Sequence, residues 1–167
     1  MVHDNAGDRP DTVPETGNRG HEQPFIDRRA VGRALSYWDR LRETTAFPSR
    51  NDCLACFDKD LTDGVIVIEV TPKEENDLIV ECGPLFRNAY GKDPVGLTVK
   101  NVMPSSTDRG LIFWRVAAEM RKPIADVGEF TNLHGQEIIY RSVFLPISDD
   151  GKHITHLMAA FSYKSVH

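Results

Sequence analysis

Gly83-Pro84-Leu85-Phe86-Arg87-Asn88-Ala89-Tyr90-Gly91 decides how the rest of the chain is read. A Gly-Pro break opens a short helical run and a glycine closes it. A turn, Asp93-Pro94-Val95-Gly96, leads on to a longer helix expected over residues 108–122. Strands are expected next at 124–133, 136–148 and 154–163, joined by compact turns at His134-Gly135 and at Asp149-Asp150-Gly151-Lys152.

Upstream, residues 65–70 form a nearly continuous β-branched run that Thr71-Pro72-Lys73 ends. It reads as a central strand covered on both faces. A polar turn, Glu74-Glu75-Asn76-Asp77, separates it from a hairpin neighbour at 78–82. In the strand 136–148, Ile138, Tyr140, Ser142 and Phe144 share one face, and Ile139, Arg141, Val143, Leu145 and Ile147 share the other. Both rows are largely apolar, so both sides of the sheet need a cover. The helix 108–122 supplies one, with Phe113, Val116, Ala117 and Met120 expected against the sheet and Leu111, Trp114 and Ala118 on its flank. Arg121 and Lys122 suit the negative end of that helix dipole, and Pro123 stops it.

The second cover is expected from the other end of the chain. Over 27–43, Val31, Ala34, Leu35, Trp38 and Leu41 recur at helical spacing, a stripe that needs a packing partner. Trp38 reads as a packing anchor. Residues 1–24 carry three prolines, three glycines and no apolar period, and are expected to be a disordered tail. The division is therefore a tail at 1–24, an amphipathic helix within 25–46, and a folded domain over 47–167.

With 40% hydrophobic and 27% charged residues in 167, the chain can bury one core. A net charge of −5 argues against nucleic acid as a partner. No apolar run reaches the roughly 20 residues that span a bilayer, and no secretory leader is visible, so a cytoplasmic protein is expected. Three cysteines do not make a disulfide framework.

The rival signal is Cys53-Leu54-Ala55-Cys56, a C-x-x-C at a helix start with Asp52 as the expected N-cap. That geometry serves thiol–disulfide exchange or supplies two ligands to a metal. No thioredoxin-like βαβ surrounds it, and Cys82, His134, His153 and His156 show no finger-like spacing. Filling a helix face is the commoner use of such cysteines. The alternative of a small thiol-redox or metal-binding protein rests on Cys53 and Cys56 alone.

The run 85–91, the step Pro94-Val95-Gly96-Leu97-Thr98-Val99 and the hairpin Phe144-Leu145-Pro146-Ile147-Ser148-Asp149-Asp150-Gly151-Lys152 together resemble a PAS sensor domain. Tyr37-Trp38-Asp39-Arg40-Leu41-Arg42, the loop Pro48-Ser49-Arg50-Asn51-Asp52 and Gly91-Lys92-Asp93-Pro94-Val95-Gly96 are similar to single-domain PAS proteins of alphaproteobacteria. Pro94-Val95 stands where that pattern usually has leucine, and its corresponding helix usually lacks cysteine.

The resemblance implies an α+β fold: about five antiparallel strands, helices on one face, and the N-terminal helix in addition. It implies a sensing and protein-interaction module without catalytic residues, whose signal leaves through a histidine kinase or response regulator. Flavin photosensors of the family carry an Asn-Cys-Arg-like run on the short helix, where this chain has Arg87-Asn88-Ala89, and haem variants a histidine on the longer helix. This chain has neither, so the resemblance argues against both cofactors and leaves any other unknown. A ligand space is expected among Phe86, Tyr90, Phe113, Val116, Met120, Tyr140, Ser142 and Phe144. A capping and homodimer surface is expected from Val31, Leu35, Trp38, Leu41, Val143 and Leu145.

Overall fold

The computed structural model describes residues 28–103 and 113–166. The tail expected at 1–24 and the first part of the helix expected at 108–122 lie outside them. The elements run α1 (Arg28–Leu41), α2 (Arg50–Cys56), α3 (Lys59–Asp63), β1 (Val65–Glu69), β2 (Leu78–Cys82), α4 (Pro84–Tyr90), α5 (Val99–Val102), α6 (Phe113–Met120), β3 (Ile124–Thr131), β4 (Glu137–Ile147) and β5 (His156–Val166), with a 3₁₀ turn at Glu74–Asn76. Five antiparallel strands form one sheet in the order β2-β1-β5-β4-β3.

The β-branched run at β1 sits inside the sheet, between β2 and β5, with its first four residues buried. β4 and β5 pair along eleven residues each, from Glu137↔Val166 to Ile147↔His156. β3 stops two residues earlier than expected because Asn132 closes the turn. Its Oδ1 accepts from the amides of His134 and Gln136, and its Nδ2 donates to the carbonyl of Ala89. Gly91 ends α4 at φ 110, where an added Cβ would also meet the His134 ring at 3.1 Å, so two requirements select glycine there.

Two cores lie on the two faces of the sheet. α1 covers one. Ala34 and Trp38 are buried, and Val31, Leu35 and Leu41 are half-buried, over Val143, Leu145, Ile147, Met158 and Ala160. The indole Nε1–H of Trp38 donates to the carbonyl of Pro146 at 2.7 Å, so its burial leaves no unpaired donor. Phe47, Cys53, Phe57 and Leu61 complete this layer, which makes α2 and α3 part of the same cover. α2 starts one turn earlier than expected. Ser49 is its N-cap, in a capping box with Asp52, so Cys53 lies a full turn into the helix and faces inward.

The other face holds Ile66, Ile68, Ile79, Phe86, Val99, Trp114, Tyr140, Phe144 and Phe161 under α4, α5 and α6. Here the expected phase of α6 is corrected. Ala117 is fully buried as expected, but Trp114, expected on the flank, is fully buried too, while Val116 is only half-buried and Met120 is 54% exposed. The helix turns its Trp114 side to the sheet because the indole finds a buried acceptor in Asp77.

Candidate functional site

The inward row of β3 is Ile124, Asp126, Gly128 and Phe130, and that of β4 is Ile138, Tyr140, Ser142 and Phe144. Register sets Asp126 opposite Ser142 and Gly128 opposite Tyr140. Gly128 matters for what it lacks. A Cβ there would stand 3.1 Å from the Tyr140 hydroxyl and 3.3 Å from two ring carbons. Without it the Tyr140 ring lies across β3, and its hydroxyl donates to Asp126 Oδ2 at 2.7 Å.

Between this polar wall and the helices is a cavity of about 30 Å³, lined by Ile66, Phe86, Val102, Met103, Asp126, Phe130, Tyr140, Ser142, Phe144, Ala159 and Phe161. That space takes two or three waters, at about 10–15 Å³ each. Aromatic packing accounts for the small volume: Phe86 meets Phe161 edge-on at 5.0 Å, and Tyr140 stacks on Phe161 at 5.9 Å. Asp126 is 5% exposed and Ser142 is 4% exposed, so the polar groups are buried among largely apolar neighbours. Chemically, the site can hold one small hydrogen-bonding group.

Of the residues expected around a ligand space, Phe86, Tyr140, Ser142 and Phe144 come together on the cavity wall. Tyr90 stands behind Phe86, with ring centroids 5.8 Å apart, and is not part of the wall. Val116 is off the wall as well, and Met120 points to solvent, for the reason of helix phase already given. Phe113 begins α6, and its side chain lies outside the described part. Sequence reading missed Ile66, Val102, Met103, Asp126, Phe130, Ala159 and Phe161. Asp126 did leave a signal, as the one acidic residue in an otherwise apolar inward alternation of β3.

Cys53 is fully buried, and burial pushes its thiol up to about 12, with Cys56 and Asp52 adding to the shift. Cys56 is exposed, and burial raises Cys82 to about 11. A thiolate suited to exchange needs the opposite shift. Among the described residues no three His, Cys, Asp or Glu side chains are grouped to hold a metal, and no helix is long and apolar enough to cross a membrane.

Comparison with solved structures returns PAS and LOV domains. A variant of Vivid aligns with a TM-score of 0.50 at 12% identity, over 77% of this chain and 97% of that one. The PAS domain of a protein from Colwellia psychrerythraea aligns at 0.48 and 13%, over 61% and 84%. The LOV domain of a blue-light activated histidine kinase from Erythrobacter litoralis aligns at 0.46 and 9%, over 61% and 94%. No family model matches the chain, and no characterised protein matches it by sequence. At such identities the likeness is one of fold: a five-stranded antiparallel sheet with helices laid on it.

Proposed function

Starting from a PAS-like fold, we propose that this chain is a non-enzymatic sensor and interaction module that regulates a bacterial signalling partner, a histidine kinase or response regulator, in the cytoplasm. The observation that carries the reading is the alternation of β4. Tyr140, Ser142 and Phe144 line the cavity, while Val143, Leu145 and the carbonyl of Pro146 hold α1 on the opposite face. Packed interiors transmit displacement rather than absorb it, so a change at Ser142 or Phe144 reaches the strand that anchors Trp38.

In this reading the input is a small ligand bearing a polar group for Ser142 and Asp126. A larger one has to part the aromatic side chains. The output is α1, whose outer face exposes Gly32, Ser36, Asp39 and Arg40. A second copy packing there gives a two-fold interface.

Calorimetry of the purified chain against an array of histidine-kinase and response-regulator domains tests the reading, together with light scattering of wild type and Trp38→Ala. A saturable complex with one domain and a dimer mass are expected. Trp38→Ala should cost about 3–5 kcal/mol, as large aromatic truncations do, and weaken the dimer. No complex with any domain would overturn the reading.

A further inference from the structure

Arg42 and Arg121, which follow α1 and α6, converge on one ring. Their guanidinium carbons stand 5.0 and 4.8 Å from the centroid of Phe47, so the two cations are held within about twice that distance of each other. Arg42 also lies over Trp38, at 5.2 Å. Phe47 is buried, whereas both arginines are exposed.

Three arginines meet carboxylates, Arg33 with Asp58, Arg50 with Glu81 and Arg115 with Asp77, while Arg40 lies over Tyr37 and Arg87 donates to the carbonyl of Cys82. Arg42 and Arg121 meet no carboxylate among the described residues, although the chain carries a net charge of −5. Arg121 also occupies an unusual position. The Lys122 amide donates to the carbonyl of Ala117 at 3.3 Å, the six-residue closure of a helix end, and Arg121 takes φ 59 inside it. Glycine adopts that conformation at least cost. The arginine found there reaches Phe47 and donates from Nη2 to the carbonyl of Lys152 at 3.1 Å.

Both guanidinium groups are exposed, and apart from the Arg121 Nη2 bond to the Lys152 carbonyl no hydrogen bond among the described residues occupies their N–H groups. Such planar forks match carboxylates in a bidentate geometry, and aromatic stacking orders them before any partner arrives. We infer that Arg42 and Arg121 form a docking site for an acidic segment of a partner protein, with Asp or Glu carboxylates taking the two guanidinium edges. The inference rests on the reading above only in that the output is a protein contact.

The probe is a fluorescent octaglutamate peptide, titrated into the full chain at low ionic strength and followed by anisotropy. A chain of net negative charge repels this peptide at long range, so saturable binding has to come from a local site. Binding is expected to weaken at least about tenfold in Arg42→Gln and in Arg121→Gly, and to be unchanged in Lys73→Gln, in the β1–β2 turn. Arg121→Gly should keep or raise the thermal midpoint, which separates lost binding from lost fold. Absence of saturable binding overturns the inference, as does equal loss in Lys73→Gln or binding of inorganic phosphate alone. So does a lowered midpoint in Arg121→Gly with peptide binding intact. If the peptide binds and no kinase or regulator domain does, the site stands and the signalling reading falls; the reverse sinks only the site.

Discussion

The indole N–H of Trp114 donates to the carboxylate of Asp77 at 2.8 Å, across 37 positions of sequence, and both side chains are fully buried. Arg115 Nη1 adds contacts at 3.0 and 3.2 Å, and Thr71 donates its amide at 2.8 Å and its hydroxyl at 3.0 Å. One carboxylate therefore ties the β1–β2 turn to the helix that covers the core. Asp77→Ala strands a buried cation and an indole donor, and should cost about 3–5 kcal/mol in urea denaturation. Asp77→Asn keeps an acceptor and should lose less, about 1–3 kcal/mol. A wild-type midpoint for Asp77→Ala would contradict this account of α6.

The same contact shows where the sequence stopped being legible. The strands could be read because alternation is local: the two rows of β4 are fixed by a period of two, whatever lies above them. The docking of α1 was legible because its stripe and the row Val143, Leu145 and Ile147 each lacked a partner. On α6 two apolar stripes competed, one through Phe113, Val116 and Met120, the other through Trp114 and Ala118. Hydrophobicity could not choose between them. A hydrogen bond to Asp77, far off in sequence, made the choice. The cavity wall was half legible for a related reason. Tyr140, Ser142 and Phe144 follow from the β4 period, but Asp126 enters through β3–β4 register, and Val102 and Met103 through a one-turn helix with no periodic signal of its own.

Gly128 should prove intolerant of even one methyl group. Its absent side chain is what lets the Tyr140 hydroxyl reach Asp126. Gly128→Ala should lose about 1–3 kcal/mol by overpacking against that ring. Tyr140→Phe should lose a comparable amount, about 1–3 kcal/mol, through the hydrogen bond to a carboxylate alone. In the double variant the two losses should not add, because both act through one contact. Strict additivity in denaturant titrations would place the Gly128 effect elsewhere.

Cysteine chemistry should divide between the two residues of the C-x-x-C. At neutral pH iodoacetamide should label exposed Cys56 and leave Cys53, whose thiol is pushed up to about 12, unmodified in the folded chain. An unfolded cysteine ionises at about 8.5. From there to about 12 the unfolded chain sheds a proton that the native Cys53 keeps. Stability from this group is therefore complete below the lower value and falls as pH rises, with Cys82 acting in the same direction. Cys53→Ala should flatten that alkaline decline. Equal labelling of Cys53 and Cys56, read by mass spectrometry, would contradict its burial.

In the proposed reading, β4 connects the cavity on one face of the sheet to α1 on the other. Hydrogen exchange of the full chain, read by mass spectrometry for wild type and Ser142→Val, tests it most directly. Valine fills the space beside Asp126 without touching α1. Faster exchange across α1, with β1 and β2 unchanged, is the result expected of a strand that carries displacement from the cavity to the helix. Exchange in α1 identical to wild type, with the variant folded and its cavity filled, would contradict the account.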